Sequence, residues 1–271
     1  MLLEVKNAAF YYPGPNQSTR YLFRDLNFSL KQGEVMTILG ANGAGKTTMI
    51  RNLLGLLHWT EGETLLDHKP LKQWSRAELW QKIAYVPQQK PLSFSYSVEE
   101  MVLLGRSSHL GFFSQPGKKD REIAHEAMES IGISHLAKKS CDQISGGELQ
   151  MVLIARALST KPDILILDEP ESNLDFKNQL IVMETIQRLN RESHISAIVN
   201  THYPDHALWI SDKTLLLRKA GAEEDSRSLF GPTKQIMTEE NLSTIFSVDV
   251  KLCEWQIGQD SRRTVLPIRI Q

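Results

Sequence analysis

Eight consecutive residues, Gly40-Ala41-Asn42-Gly43-Ala44-Gly45-Lys46-Thr47, satisfy the pattern G-x-x-x-x-G-K-[ST] at every fixed position. The chemistry they suit is the holding of a polyphosphate. Glycines let successive backbone N–H groups converge on phosphate oxygens, Lys46 supplies a mobile positive charge, and the Thr47 hydroxyl is a magnesium ligand. The flanks agree with that use. Val35-Met36-Thr37-Ile38-Leu39 is a short apolar, β-prone run, and Thr47 to Leu57 carries helix-compatible leucines. Strand, loop and helix therefore follow in the order that aims a helix N-terminus at an anion.

Two further clusters could act on that phosphate. Ile164-Leu165-Ile166-Leu167 is an apolar strand pattern that delivers two carboxylates, Asp168 and Glu169, at its end. In open α/β sheets ligands gather outside the carboxyl ends of strands, the edge that also bears the phosphate loop. Asp168 would hold magnesium through water and the Thr47 hydroxyl, while Glu169 would orient or deprotonate a water attacking the γ-phosphate. An Asp-Glu pair standing alone would be an ordinary solvated strand end; the phosphate loop gives it a task. Ser145-Gly146-Gly147-Glu148 is first of all a capping box. A cap has no need of two glycines. Bare amides at a helix N-terminus favour an anion, so the same end could grip a phosphate. With Lys46 and Glu169 on one side of the γ-phosphate, a second anion site makes best sense when a second copy supplies it, which implies a dimer with nucleotide between the copies.

The elements that must position these groups are readable from periodicity. Leu2 to Phe10 and Leu22 to Leu30 read as strands separated by the turn-rich Pro13-Gly14-Pro15-Asn16. Ser75-Arg76-Ala77-Glu78 and Ser97-Val98-Glu99-Glu100 fit capping boxes on either side of a core strand, Ile83-Ala84-Tyr85-Val86. From Ser97 to about Leu158 the pattern is helical, broken at Gly111 to Gly117 and near Ser140. Ile195 to Val199 supplies another strand, and alternation of strands with helices predicts an α/β fold with a mainly parallel sheet.

Composition narrows the partners. With Lys+Arg 31 against Asp+Glu 32 the net charge is -1, so no broad basic surface points to nucleic acid. The 271 residues, 41% hydrophobic, are enough for a sizeable core. No run of about 18 apolar residues and no basic-then-apolar leader is present, so the chain itself is not expected to cross a membrane. Cys141 and Cys253 are far apart and form no metal-spaced pair, which suits packing or a reducing compartment. The short charged stretch Glu223-Glu224-Asp225 reads as a solvated turn.

From about Leu2 to about Val250 the chain resembles the nucleotide-binding subunit of an ABC transporter, with the motifs in family order. Gly40 to Thr48 resembles Walker A, Gln88 in Tyr85-Val86-Pro87-Gln88 the Q-loop, and Ile144 to Gln150 the signature. Ile164 to Glu169 resembles Walker B, Ser172-Asn173-Leu174-Asp175 the D-loop, and His202 in Asn200-Thr201-His202 the switch histidine. The resemblance implies a P-loop NTPase (RecA-like) core with an N-terminal antiparallel β subdomain and an all-helical insert. It divides one ABC ATPase domain, 1–271, into a nucleotide-binding core with the β subdomain (1–92 and 159–250), a helical subdomain bearing the signature (93–158) and a tail, 251–271, without assigned role.

ATP and Mg²⁺ are then the expected ligands. Nucleotide contacts fall on Gly40, Asn42, Gly43, Ala44, Gly45, Lys46, Thr47 and Thr48, and on Ser145, Gly146, Gly147 and Asp175 at the junction between copies. Tyr12 stands where the family places an aromatic against adenine. Thr47, Gln88 and Asp168 serve magnesium, Glu169 and His202 the γ-phosphate, and Gln88 reports occupancy to the helical insert. His58, His68, His109, His125, His135, His194 and His206 are expected to pack or face solvent. The pattern also departs in places: Ile144 replaces a common Leu, Glu148 a common Gln, and Glu171 stands where a Thr usually follows Glu-Pro.

Ser97 to His109, then Phe112, Phe113 and Pro116, resemble the region after the Q-loop in importers of metal chelates, whose solutes include iron-siderophores, haem, cobalamin and molybdate or tungstate. That branch implies a homodimer carried by two transmembrane permease subunits at the cytoplasmic face of the membrane, a substrate-binding protein acting indirectly, and no nucleic acid. Val98, Met101, Val102 and Gly105 share a helical face that could line a groove for a short permease helix. An exporter or lipid-extracting subunit is the alternative. Chromosome and repair ATPases are disfavoured because only roughly 100 residues separate Thr48 from Ser145, without sustained heptads.

Overall fold

The computed structural model describes residues 1–13, 19–88, 95–111, 114–218, 228–258 and 260–270. Most of the Pro13 to Asn16 turn, Phe112, Phe113 and Glu223 to Asp225 lie outside them. The chain opens with β1 (Leu3–Pro13), β2 (Thr19–Leu30), β3 (Val35–Gly40), α1 (Lys46–Leu53), β4 (Glu61–Leu66) and β5 (Lys69–Pro70). It continues through α2 (Arg76–Lys82), β6 (Ile83–Val86), α3 (Val98–Leu103), α4 (Lys118–Ile131), α5 (Gly146–Ser159), β7 (Ile164–Asp168) and α6 (Phe176–Ser193). After β8 (Ser196–Thr201) come α7 (Pro204–Ile210), β9 (Lys213–Leu217), β10 (Leu229–Pro232), α8 (Thr233–Ile236), α9 (Glu239–Phe246), β11 (Val248–Ile257) and β12 (Asp260–Ile270). This is the α/β, P-loop NTPase (RecA-like) class, with an N-terminal antiparallel sheet and a helical insert. Two compact units emerge from the contacts, Met1–Gln73 with Ile198–Gln271, and Trp74–Ala197.

In the first unit β2-β1-β4-β5 form the antiparallel sheet, with Leu3, Val5, Phe23 and Phe28 buried. Its second sheet segment runs β10-β9-β3-β8. All six residues of β3 are buried, as expected of a strand covered on both faces, and it pairs in parallel with β9 from Met36↔Lys213 to Gly40↔Leu217. The one polar side chain in β3, Thr37, is satisfied by the hydroxyls of Thr214 (3.1 Å) and Ser211 (3.0 Å). Beyond α9 the tail forms an antiparallel hairpin, β11 with β12. Val248, Val250 and Leu252 alternate at strand period, and Gly258 turns at φ +63.

In the second unit β6 and β7 pair in parallel, Ile83↔Ile164 to Val86↔Leu167, and β7 is buried along its length. The capping boxes at Ser75, Ser97 and Ser145 all form. Helices α3, α4 and α5 build the helical insert. The turn of 3₁₀ helix at Leu104–His109 lies so close to the end of α5 that a Cβ on Gly105 would sit 2.0 Å from the Arg156 carbonyl oxygen. Three polar contacts fasten the same junction: Ser159 Oγ donates to Val102 O (2.9 Å), Thr160 Oγ1 to Gly105 O (3.1 Å) and Arg106 to Ser159 O (2.8 Å). Asp120, itself held below the usual carboxylate range chiefly by its bond to Arg106, pairs with that buried guanidinium at 3.0 Å.

Candidate functional site

In the first unit Gly40, Asn42, Gly43, Ala44 and Gly45 link β3 to α1. Gly45 is the N-cap of α1 at φ +93, and a Cβ there would lie 2.7 Å from both Leu22 and Phe23, so only glycine fits. No side chain caps α1 and its first turn holds no acidic residue. At such an N-terminus the macrodipole favours an anion. Lys46 is 6% exposed, and its Nζ donates to Gly40 O at 2.8 Å across the loop that it serves. Thr47 faces solvent, while Thr48 Oγ1 lies 3.2 Å from the Tyr12 hydroxyl. Tyr12, half exposed, sits edge-on against Phe10 and so stands beside the cradle, whereas Phe10 is core. This donor set fits a magnesium nucleotide: cradle amides, lysine and hydroxyls for phosphate and metal, an exposed ring for the base. His202 follows β8 in the same unit, its ring centre 4.4 Å from that of Tyr203 and tilted against it, and Tyr203 in turn meets His206 at 4.9 Å.

The second unit gathers the carboxylate machinery. Asp168 ends β7, is 5% exposed and accepts from the Tyr85 hydroxyl at 3.1 Å. Glu169 follows in left-handed backbone at φ +50, a conformation that costs a non-glycine residue free energy and persists only where the surroundings enforce it. Its Oε2 accepts from Gln88 Nε2 (2.9 Å) and Ser172 Oγ (3.1 Å). Gln88 and Glu169, 81 residues apart in sequence, are therefore in direct contact. Glu171 is fully buried.

Ser145 caps α5: its Oγ accepts from Glu148 N (3.2 Å) and donates to Glu148 Oε2 (2.8 Å), which also accepts from Ser145 N. These bonds, the backbone one foremost, hold the Glu148 carboxyl below the ordinary glutamate range. The glutamate that departs from the family's glutamine is thus a capping residue. Asp175 is one as well, receiving Asn178 N at 2.8 Å as N-cap of α6.

One expectation is corrected. Val98, Met101 and Val102 are almost wholly buried inside the helical insert, so they cannot line a groove for another chain. Gly105 does line a cleft of about 490 Å³, together with Arg76, Trp80, Tyr85, Leu104 and Arg156. Burial lowers the pKa of the Arg156 guanidinium; it meets Met101 Sδ at 3.9 Å, and among the described residues it pairs with no carboxylate. Among the described residues no helix is long and apolar enough to cross a membrane, and no group of three or more His, Cys, Asp or Glu could hold a metal ion.

Residues 23–172 match the family model described as ABC transporter. The molybdate import ATP-binding protein MolC of Haemophilus influenzae is 37% identical over 244 residues, covering 90% of this chain and 87% of that protein. A solved ABC transporter described as of metal-chelate type, in an inward-facing conformation, is 33% identical with a TM-score of 0.86, covering 98% of this chain and 97% of that one. A bacterial ABC transporter cassette solved as a dimer is 28% identical with a TM-score of 0.68, covering 84% of this chain and all of the other.

Proposed function

This chain belongs to the ABC transporter family as an ATP-hydrolysing subunit, and we propose that it powers the import of a metal chelate or related oxyanion, such as an iron complex, haem, cobalamin or molybdate, across the cell membrane. The observation that carries the hydrolytic part is the Gln88–Glu169 hydrogen bond beside a carboxylate held in left-handed backbone. Such a glutamate is oriented as the base for the attacking water, with an amide partner able to exchange it for magnesium or water on nucleotide binding. Support for the direction and solute class comes from the near-complete overlap with a metal-chelate type transporter and from the molybdate importer relative.

In this reading two copies enclose two MgATP molecules. The loop from Gly40 to Thr48 of one copy binds the phosphates, Ser145, Gly146 and Gly147 of the other close on the γ-phosphate, and Asp175 crosses between them. Thr47, Asp168 and Gln88 attend magnesium; Glu169 and His202 attend hydrolysis; Tyr12 stacks on adenine. Residues 1–92 and 159–250 act as the nucleotide-binding core and 93–158 as its helical arm. Closure of the dimer, a population shift driven by ATP, moves the permeases, and hydrolysis resets it. The permeases hold the subunit at the cytoplasmic face of the membrane and receive solute from a binding protein. The cleft lined by Trp80, Leu104 and Arg156 is the seat for a permease segment, with Arg156 receiving an acidic group.

Glu169→Gln tests the chemistry: ATP-dependent dimerisation measured by light scattering should persist while phosphate release falls at least about a hundredfold. Near-normal release would remove Glu169 from its role. For direction, vesicles containing the subunit with its permeases should accumulate labelled molybdate or ferric chelate delivered by the binding protein; ATP-driven movement the opposite way would refute import.

A further inference from the structure

The C-terminal hairpin packs on two helices: β11 holds α9, with the Leu252 amide and Lys251 on Glu239 and the Val250 amide on Ser243, and β12 holds α7. Asp205, in the first turn of α7, points Oδ1 at β12, where it accepts from both the Thr264 hydroxyl and the Val265 amide at 2.8 Å. Near the other end of α7 the Arg262 guanidinium lies 4.7 Å from the centre of the Trp209 ring. Between these two holds, Val250, Leu252 and Val265 of the hairpin share one apolar cluster with Ala207 and Leu208 of α7 and with Leu39, the residue before Gly40. The helix they grip has seven residues and no side-chain cap at its N-terminus. A helix so short is unstable alone, and its position is set by what packs on it. It begins two residues after His202, and tilted ring contacts from His202 to Tyr203 and from Tyr203 to His206 join the histidine to its first turn.

We propose that the β11–β12 hairpin is a strap on α7, and that Asp205 is a positioning residue which, through α7, aims the His202 imidazole for ATP hydrolysis. The inference rests on the role proposed above for His202 and adds a task for residues 251–271. Without the strap the first turn of α7 is free to shift, and the ring joined to that end loses its fixed direction. Misplacement of a catalytic group by about 1 Å costs one to two orders of magnitude in rate.

The test is a double-mutant cycle on the full-length chain, reading kcat and KM for ATP. Asp205→Ala should lower kcat about tenfold while leaving KM within about twofold. Asp205→Asn should restore kcat, because its amide oxygen accepts the same two bonds. In a His202→Ala background, Asp205→Ala should cause no further loss, since there is no imidazole left to aim. An unchanged kcat in folded Asp205→Ala, or the same fractional loss with and without His202, would overturn the strap. A His202→Ala variant that turns over normally would instead remove the histidine assignment itself, and the inference with it. Should Asp205→Ala fail to fold, Thr264→Val, which deletes one of the two bonds at nearly constant shape, enters the same cycle with the same expectations.

Discussion

Ser145→Ala separates a fold from a function. The hydroxyl accepts from Glu148 N and spends its only proton on Glu148 Oε2, so alanine removes the side-chain half of the box and leaves the Ser145 N bond to Glu148 in place. Loss of an N-cap side chain costs about 0.5–2 kcal/mol. Set against a domain stability of about 5–15 kcal/mol, even the worst case leaves roughly 3 kcal/mol and about 1% of molecules unfolded. A chain of this size should lose about 2–4 °C of Tm per kcal/mol. Lost folding therefore cannot lower ATPase activity visibly, and a fall of about tenfold or more, the size of one charge-assisted hydrogen bond to phosphate, reports a lost nucleotide contact. The sign with pH follows from Glu148. Its carboxyl is depressed in the folded chain, so the box stabilises above the unfolded glutamate pKa and is lost as pH falls through the folded value. The Tm gap between wild type and Ser145→Ala should accordingly be widest near neutrality and shrink in acid. Scanning calorimetry near neutrality and in acid, with a phosphate-release assay, decides the matter. ATPase activity unchanged at a lowered Tm would leave Ser145 a cap and nothing more.

Lys46→Ala should weaken ATP binding about ten- to a hundredfold in titration calorimetry, the worth of one charge-assisted contact; unchanged affinity would detach Lys46 from the nucleotide. Gly105→Ala should destabilise by about 1–3 kcal/mol, because the new methyl meets a backbone carbonyl that cannot swing away; an unaltered Tm would show that the junction yields. Arg156→Glu should abolish co-purification with the permeases while ATP affinity of the isolated subunit stays within about twofold, and an intact complex would place the docking seat elsewhere.

The phosphate loop was legible because few residue types satisfy its demands: Gly45 at φ +93 against Leu22 and Phe23 admits nothing else. The capping boxes were legible for a related reason, since each is closed by two residues three apart. The Gln88–Glu169 bond joins residues 81 apart and follows from topology, which no local pattern encodes. On α3 the periodicity correctly identified a shared face of Val98, Met101 and Val102, but periodicity names a face without naming its cover, and the cover is the rest of the insert. The hairpin escaped notice because much of β12 is exposed, so its apolar alternation is weak, and Pro267 further argues against a strand.

The fastening between the Leu104–His109 turn and α5 has a mechanical corollary. Backbone in contact with backbone leaves no layer of side chains to slide or compress, and α5 spans roughly 21 Å over its 14 residues. In the proposed docking, a push delivered beside Gly105 would travel along α5 toward Ser145 as through a connecting rod, with the stroke set by the length of the shaft more than by the softness of its bearings.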